Sequence, residues 1–371
     1  MKYNLSIPHL SDDNRELKYI SEAIENNNIG PVGRFMPEFE YAVKKLTSSK
    51  YVLGVVNGTS AIHLALLAMG ITKYDDVLAS TFTFIGSVAP VSYIGANPIF
   101  IDSEEGTWNL DPNLLEDYLK KTAKTPKALI LTHLYGQPAS MDDICMVCDR
   151  YNVTLIEDAA EAIGASYDDR QCGTFGTMGI LSFNGNKLIT TGGGGMLLSE
   201  NKEYIEKASY YSTQAREPVM HYEHLNVGYN YRLSNLHAAV GLAQMEILNE
   251  RIAARRRIFK TYEKEFANDS RIKLMPQHEK ADGNRWLTTA LFEGIDPMVL
   301  MKKLANQGIE TRPLWKPMHM QPVFKDAERV VNGTSEKLFS KGLCLPSCST
   351  MTDEDVRTVA AAIIGTLDIS G

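Results

Sequence analysis

The sequence predicts an α/β fold: a large domain with a mostly parallel sheet, followed by a smaller α/β domain. Three observations predict it. Short apolar runs alternate with helix-period stretches, the pattern of strands joined by helical crossovers. The chain has 371 residues, 44% of them hydrophobic, enough for two domains with sizeable cores. No internal repeat or low-complexity linker interrupts the alternation.

In chain order, residues 13–26 read as a helix with Leu17, Ile20 and Ile24 on one face. Residues 60–70 read as a second helix, ended by Gly70. "DVLAS" (76–80), "NPIFID" (97–102), "KALILTH" (127–133), "VTLIED" (153–158) and "GILSF" (179–183) read as buried strands. From Leu233 to about Asn268 one long helical pattern closes the large domain. Then come a strand "RWLTTALFEG", a helix opened by Asp296 with Pro297 in its first position, a strand "IETRPL", and a last helix opened by Thr352. This places the large domain at 1–250 and the small domain at 251–371.

Lys and Arg number 38 against 45 Asp and Glu, a net charge of −7. An acidic balance argues against nucleic acid as a partner. No apolar run approaches the ~20 residues that cross a bilayer, and the N-terminus has no signal-peptide core. A cytoplasmic protein without a membrane partner is expected. Five cysteines include the pair Cys145 and Cys148 and the pair Cys344 and Cys348. The first pair sits in a helical pattern, where a spacing of three is ordinary packing, so no metal site is expected.

In open α/β sheets, ligands bind outside the carboxyl ends of the strands. Asp158 ends "VTLIED", Ser182 lies near the end of "GILSF", and His133 ends "KALILTH". Lys187 follows in "SFNGNKLITTGGGG". A carboxylate, a hydroxyl and an amine therefore share one rim. In "NGTSAIHLAL", Gly58, Thr59 and Ser60 open a helix whose free N–H groups favour a phosphate. Phe82 and Phe84 follow a strand at the same rim. Each residue alone also reads as a cap, a turn, core or a solvated charge. Together they are the parts that pyridoxal 5′-phosphate requires: a lysine to form a Schiff base, an Asp at the pyridine nitrogen, an aromatic face and a phosphate cradle. The glycines after Lys187 would let the backbone pass close to the cofactor. No GxGxxG or Walker loop is present, which argues against a nicotinamide-dependent oxidoreductase.

"EDAAEAIGA" (157–165), "SFNGNKLITTGGGGML" (182–197) and "GYNYRLSNLHAAVGLAQME" (228–246) resemble the signature blocks of the DegT-type family of sugar-nucleotide aminotransferases. These are fold-type I enzymes dependent on pyridoxal phosphate, with a large mixed sheet domain and a smaller C-terminal domain. The likeness runs from "NNNIGPVGRF" to "ETRPLWKPMH". Within the family, "NGNK", "YSTQARE", "HYEHL" and "ETRPLWK" are most similar to the bacillosamine-type C4-aminotransferases acting on UDP-4-keto-6-deoxy-N-acetylglucosamine.

The resemblance implies roles. Lys187 carries the Schiff base and moves protons, and Asp158 pairs with the pyridinium. Phe84 stacks on the ring in preference to Phe82. Thr59, Ser60 and Ser182 hold the phosphate, and Asn235 reaches it from the partner subunit of a homodimer. Glu161, where many relatives carry Gln or His, lies near the phenolic oxygen. Asn27, Asn28, Ile29, Gly30, Asn230, Arg312, Pro313, Leu314, Trp315 and His319 line the sugar-nucleotide site. Arg216, Arg232, Arg312 and Lys316 are candidates for the diphosphate, with His221 and His224 behind them. L-glutamate is the implied donor and a 4-amino sugar nucleotide the product. Two alternatives stay open: amination at C3 of a 3-keto sugar, and a dehydratase or regulator on the same fold. Dehydrating relatives carry His in place of the lysine, so Lys187 disfavours the last.

Overall fold

The computed structural model describes residues 1–369. Seven strands build most of the large sheet: β1 (Tyr51–Val55), β2 (Asp76–Ser80), β3 (Asn97–Ile101), β4 (Ala128–Thr132), β5 (Thr154–Asp158), β6 (Met178–Ser182) and β7 (Gly195–Ser199). Further strands follow: β8 (Ile272–Leu274), β9 (Thr288–Phe292), β10 (Arg312–Pro313), β11 (Glu328–Val330) and β12 (Gly342–Leu345). The large sheet has the order β1-β7-β6-β5-β4-β2-β3-β11. Only β7 runs antiparallel to its neighbours β1 and β6. The small antiparallel sheet has the order β8-β9-β12-β10.

The predicted strands are present because β4 and β6 are buried at every position, as strands covered by helices on both faces must be. The strands β1, β7 and β11 and the helix Phe35–Thr47 go beyond the sequence reading. From β2 the chain steps to β3 on one side and to β4, β5 and β6 on the other. This reversal opens a crevice at the carboxyl ends of β2 and β4.

Several helices start as their caps dictate. The Asn57 side chain accepts the Ser60 N–H at the start of Gly58–Ala68. Asp296 accepts from Met298, and Thr352 forms a capping box with Asp355. Two expectations change. The long helical pattern after Leu233 is two helices, Asn235–Glu246 and Leu248–Phe266, broken at Ile247. Helix Arg15–Glu25 does not bury Leu17 and Ile24; both are exposed. It buries Ala23 and Glu16 instead, and the Glu16 carboxylate takes hydrogen bonds from Ser11 and Gln244.

The segment after residue 250 is not confined to the small sheet. Strand β11 joins the edge of the large sheet, and Ala281–Asp282 pairs with Ser166–Tyr167. Residues from this half therefore reach the crevice. Among the described residues, no helix is long and apolar enough to cross a membrane.

Candidate active site

A cavity of about 280 Å³ lies at the crevice. It is lined from the loop after β2 by Thr83, Phe84 and Ser87, from the ends of β4, β5 and β6 by Thr132, Asp158 and Ser182, and by Glu161 and Lys187. Asn57, Gly58 and Thr59 close one end, and Trp286 and Trp315 close another.

The parallel register sets Thr132 beside Asp158. Asp158 is 4% exposed. Its Oδ1 accepts the Ala160 N–H at 3.1 Å, and its Oδ2 accepts the Ser87 hydroxyl. Ser87 is in turn 2.8 Å from Thr83, which is 2.9 Å from Thr132. This hydroxyl chain holds the carboxylate in one orientation facing the cavity. A fixed anion at the end of a strand suits a cationic ring nitrogen.

At the other end, the helix Gly58–Ala68 points its first turn into the cavity. Asn57 takes the Ser60 N–H, which leaves the amides of Gly58 and Thr59 for an anion. The approach is tight: a Cβ on Gly58 would stand 3.2 Å from the Ser182 Cβ. Gly195 is required for the same reason, because its Cβ would fall 2.5 Å from the Asn57 carbonyl carbon. Of the glycine tract after Lys187, Gly195 thus packs on the backbone of the anion loop, and none of Gly192 to Gly195 lines the cavity.

Lys187 lies in the turn after β6, with its side chain 13% exposed. Its Nζ is 3.6 Å from Glu161 Oε1 and 4.1 Å from the centroid of the Trp286 ring. Glu161 Oε2 accepts the Tyr135 N–H at 2.7 Å. Burial pushes the Glu161 carboxyl above its ordinary value, and Lys187 and the Tyr135 N–H only partly offset this. Tyr135 is left-handed, with φ 53°, a conformation uncommon for a non-glycine residue. It aims its N–H at Glu161 while its hydroxyl accepts the Trp315 N–H at 2.8 Å. Removing that hydroxyl takes the partner from the N–H of half-buried Trp315. Tyr135→Phe is therefore expected to cost about 0.5–1.5 kcal/mol. The check is a lower urea midpoint at unchanged m; an unchanged midpoint would contradict it.

The other expected residues divide clearly. Phe84, half exposed, lines the cavity and tilts against Trp315, with ring centroids 5.4 Å apart. Phe82 is buried core. Ser60 is buried behind the first turn, outside the cavity lining. Asn235 also lies outside it. Its Oδ1 accepts the Phe35 N–H at 3.1 Å and its Nδ2 donates to the Asn28 carbonyl at 2.7 Å, so both ends of the amide serve its own chain. That anchor fixes the exposed segment Asn27, Asn28, Ile29 and Gly30.

Of the expected sugar-nucleotide residues, Trp315 lines the cavity within one chain. Asn230 is exposed on the segment bridged to Thr213. Arg312 and Pro313 form β10, and Arg312 pairs with Glu310 at 3.1 Å. Leu314 is buried against Gly342. His319 is structural: its Nδ1 is 2.6 Å from Thr81 and its Nε2 is 3.1 Å from Glu336, so neither nitrogen is left for a ligand. His133 is likewise enclosed, between Glu157 at 2.9 Å and the Ala139 N–H at 3.2 Å. Arg232 pairs with Glu40, and Arg216 lies over the Tyr222 ring. Lys316 lies outside the cavity lining, where its carbonyl accepts from Gln321. His221 contacts Glu223, and His224 contacts the Gln214 carbonyl.

The sequence reading missed Ser87, Tyr135, Asn184, Asn186 and Trp286 at the site. Nothing in the local pattern around Trp286 marks it, because it opens an apolar strand and reads as core.

Among the described residues no cluster of metal ligands occurs. An amine, two buried carboxylates and an anion cradle can instead hold an organic cofactor with a phosphate and a carbonyl. Comparison with known proteins decides the class. The model of the DegT/DnrJ/EryC1/StrS aminotransferase family matches residues 10–364.

The chain belongs to this family.

EpsN of Bacillus subtilis, a protein assigned to the pyridoxal phosphate-dependent aminotransferases, is 45% identical over 371 residues, 98% of this chain and 95% of its own. The GDP-perosamine synthase of Caulobacter vibrioides is 38% identical over 367 residues, 98% of this chain and 97% of its own. A DegT-family aminotransferase from Brucella abortus superposes with a TM-score of 0.89 at 27% identity, over 95% of each chain. The fold is that of the fold-type I aminotransferases, with a large mixed sheet and a smaller C-terminal one.

Proposed function

We propose that this aminotransferase moves the amino group of L-glutamate to the C4 keto group of a nucleotide-linked 4-keto-6-deoxy sugar, with UDP-4-keto-6-deoxy-N-acetylglucosamine as the favoured acceptor. The carrying observation is the convergence of Lys187, Asp158 and the first turn of helix Gly58–Ala68 on one cavity. Support for a nucleotide-linked substrate comes from the GDP-perosamine synthase relatives. The bacillosamine-type motifs favour the UDP sugar.

The cofactor is pyridoxal 5′-phosphate. When bound, it supplies a carbonyl that captures amines and a ring that accepts electron density. The residues present fit it. The Gly58 and Thr59 amides, with the Thr59 and Ser182 hydroxyls, would hold the phosphate. Asp158 would face the ring nitrogen and keep its proton in place. Phe84 offers an aromatic face. The Trp286, Tyr135 and Trp315 rings wall the site against water. Lys187, unlinked, would carry the proton between the substrate carbon and the cofactor in both half-reactions. Asn235 would act by fixing residues 28–35.

The test is turnover on a panel of UDP-, GDP- and dTDP-linked keto sugars with glutamate, with product NMR locating the new amine. An amine at C4 supports the proposal. An amine at C3, or no nitrogen transfer, overturns it.

The working unit is proposed to be a homodimer with the site at the interface. The supporting feature is exposed apolar surface: Met220, Tyr222, Leu225 and Val227 on one loop, and Leu17, Ile24, Ile29 and Val32 near the N-terminus. Leu225→Asp with Val227→Asp is expected to shift sedimentation from dimer toward monomer. A monomeric wild type would contradict this.

Glu161 adds a pH signature. Its raised carboxyl means that the native state binds this proton more tightly than the unfolded chain does. The stability it contributes is full at low pH and is lost as pH rises through the raised value. Without added cofactor, the wild-type Tm should therefore fall across that rise, and Glu161→Gln should flatten the profile. Parallel profiles for the two proteins would contradict the assignment.

A further inference from the structure

The turn Asn284–Arg285–Trp286 lies about a hundred residues beyond Lys187 in sequence, yet it is hydrogen-bonded both to the backbone before Lys187 and to the backbone of Glu161. The Trp286 indole N–H donates to the Asn186 carbonyl at 2.8 Å, which is the peptide group joining Asn186 to Lys187. The face of the same indole lies 4.1 Å from Lys187 Nζ, inside the roughly 6 Å range of a cation–π contact. Trp286 is 1% exposed, so this contact is shielded from water.

Asn284 secures the turn to the carboxylate side. Its Nδ2 donates to the Glu161 carbonyl at 2.9 Å and to the Ile163 carbonyl at 3.0 Å. Its Oδ1 accepts the Trp286 N–H at 2.8 Å, and its own N–H donates to the Gly136 carbonyl at 3.1 Å. The packing is tight enough that a Cβ on Gly136 would stand 1.9 Å from Asn284 Oδ1. Arg285 takes φ 55° between them, a left-handed residue held by stacking on Phe259 at 3.7 Å. One turn therefore fixes Lys187 relative to Glu161, and both relative to the Tyr135–Trp315 wall.

We infer that Trp286 is the positioning residue for the reactive lysine: its N–H fixes the backbone before Lys187, and its ring face is where the Lys187 amino group rests whenever it is unlinked. This rests on the reading of Lys187 as the reacting amine. It adds that the lysine has a defined resting place beside Glu161 and does not roam the cavity after release. Tryptophan is needed because one side chain must supply both the N–H donor and the aromatic face. Phenylalanine supplies only the face, and leucine neither.

The test is NMR of the full-length protein in its pyridoxamine-phosphate form, after reductive dimethylation of lysines with ¹³C-formaldehyde. The Lys187 resonance is assigned by its loss in Lys187→Arg. A methyl group over an indole is displaced upfield of the envelope formed by exposed dimethyl-lysines. The expected results are an upfield Lys187 signal in wild type, a smaller displacement in Trp286→Phe, and return to the envelope in Trp286→Leu. In single turnovers, Trp286→Leu should slow proton transfer by about 2- to 30-fold with KM held. A wild-type Lys187 signal inside the envelope overturns the inference even if the leucine variant does not fold. So does an unmoved signal in a folded Trp286→Leu. The signal reports the position of the amine whether or not a cofactor reacts with it, so its failure is distinct from failure of Lys187 to link to the cofactor.

Discussion

Lys187→Ala is expected to abolish transamination. On the proposed reading, the variant loses the amine that would link to the cofactor and the group that would move the proton, and the second loss alone is worth about 10²–10⁴-fold. Cofactor should still bind at the Gly58–Thr59 turn, because that contact would use backbone amides and not the Lys187 side chain. The variant should therefore retain pyridoxal phosphate loosely, without the absorption band of the linked form. Small exogenous amines should restore part of the rate, since Glu161 and Trp286 still frame the vacated space. A variant with wild-type turnover in single-turnover kinetics would contradict the assignment.

Asp158→Ala is expected to have the next largest effect, lowering kcat by about 10²–10³-fold. The side chain is almost fully buried and is oriented by Ser87 and the Ala160 N–H. That arrangement costs nothing to reorganise during the reaction, so its removal is felt in kcat for both half-reactions. Asp158→Asn keeps the shape and an acceptor for Ser87 but loses the charge. It should fall nearly as far as alanine while staying closer to wild type in stability. If asparagine restored most of the rate, hydrogen bonding and not charge would be the active element.

These two residues were legible in the sequence for a simple reason. Parallel strands place their last residues on one rim, so Asp158 and Ser182 announce themselves as polar ends of apolar runs. Lys187 follows the same rim within one turn. The anion turn was legible because Asn57 is a good cap ahead of a helical run.

The rest depends on contacts between distant parts of the chain. Trp286 meets Lys187 across a sequence gap that no periodicity spans, and its apolar neighbours make it look like core. Ser87 sits in a short turn where a hydroxyl has many ordinary uses. Tyr135 became visible only through its left-handed backbone. Asn235 and His319 show the opposite case: both are polar residues beside motifs of the site, and tertiary hydrogen bonds that no local pattern reveals engage their side chains within the chain. The glycines after Lys187 read as letting the backbone approach the cofactor, and what Gly195 approaches in the fold is the Asn57–Gly58 backbone.

The most direct measurement is borohydride reduction of the protein loaded with pyridoxal phosphate, followed by peptide mapping. The predicted result is one stable pyridoxyl adduct, carried by the peptide that contains Lys187. An adduct on another lysine, or none after reduction, would contradict the account.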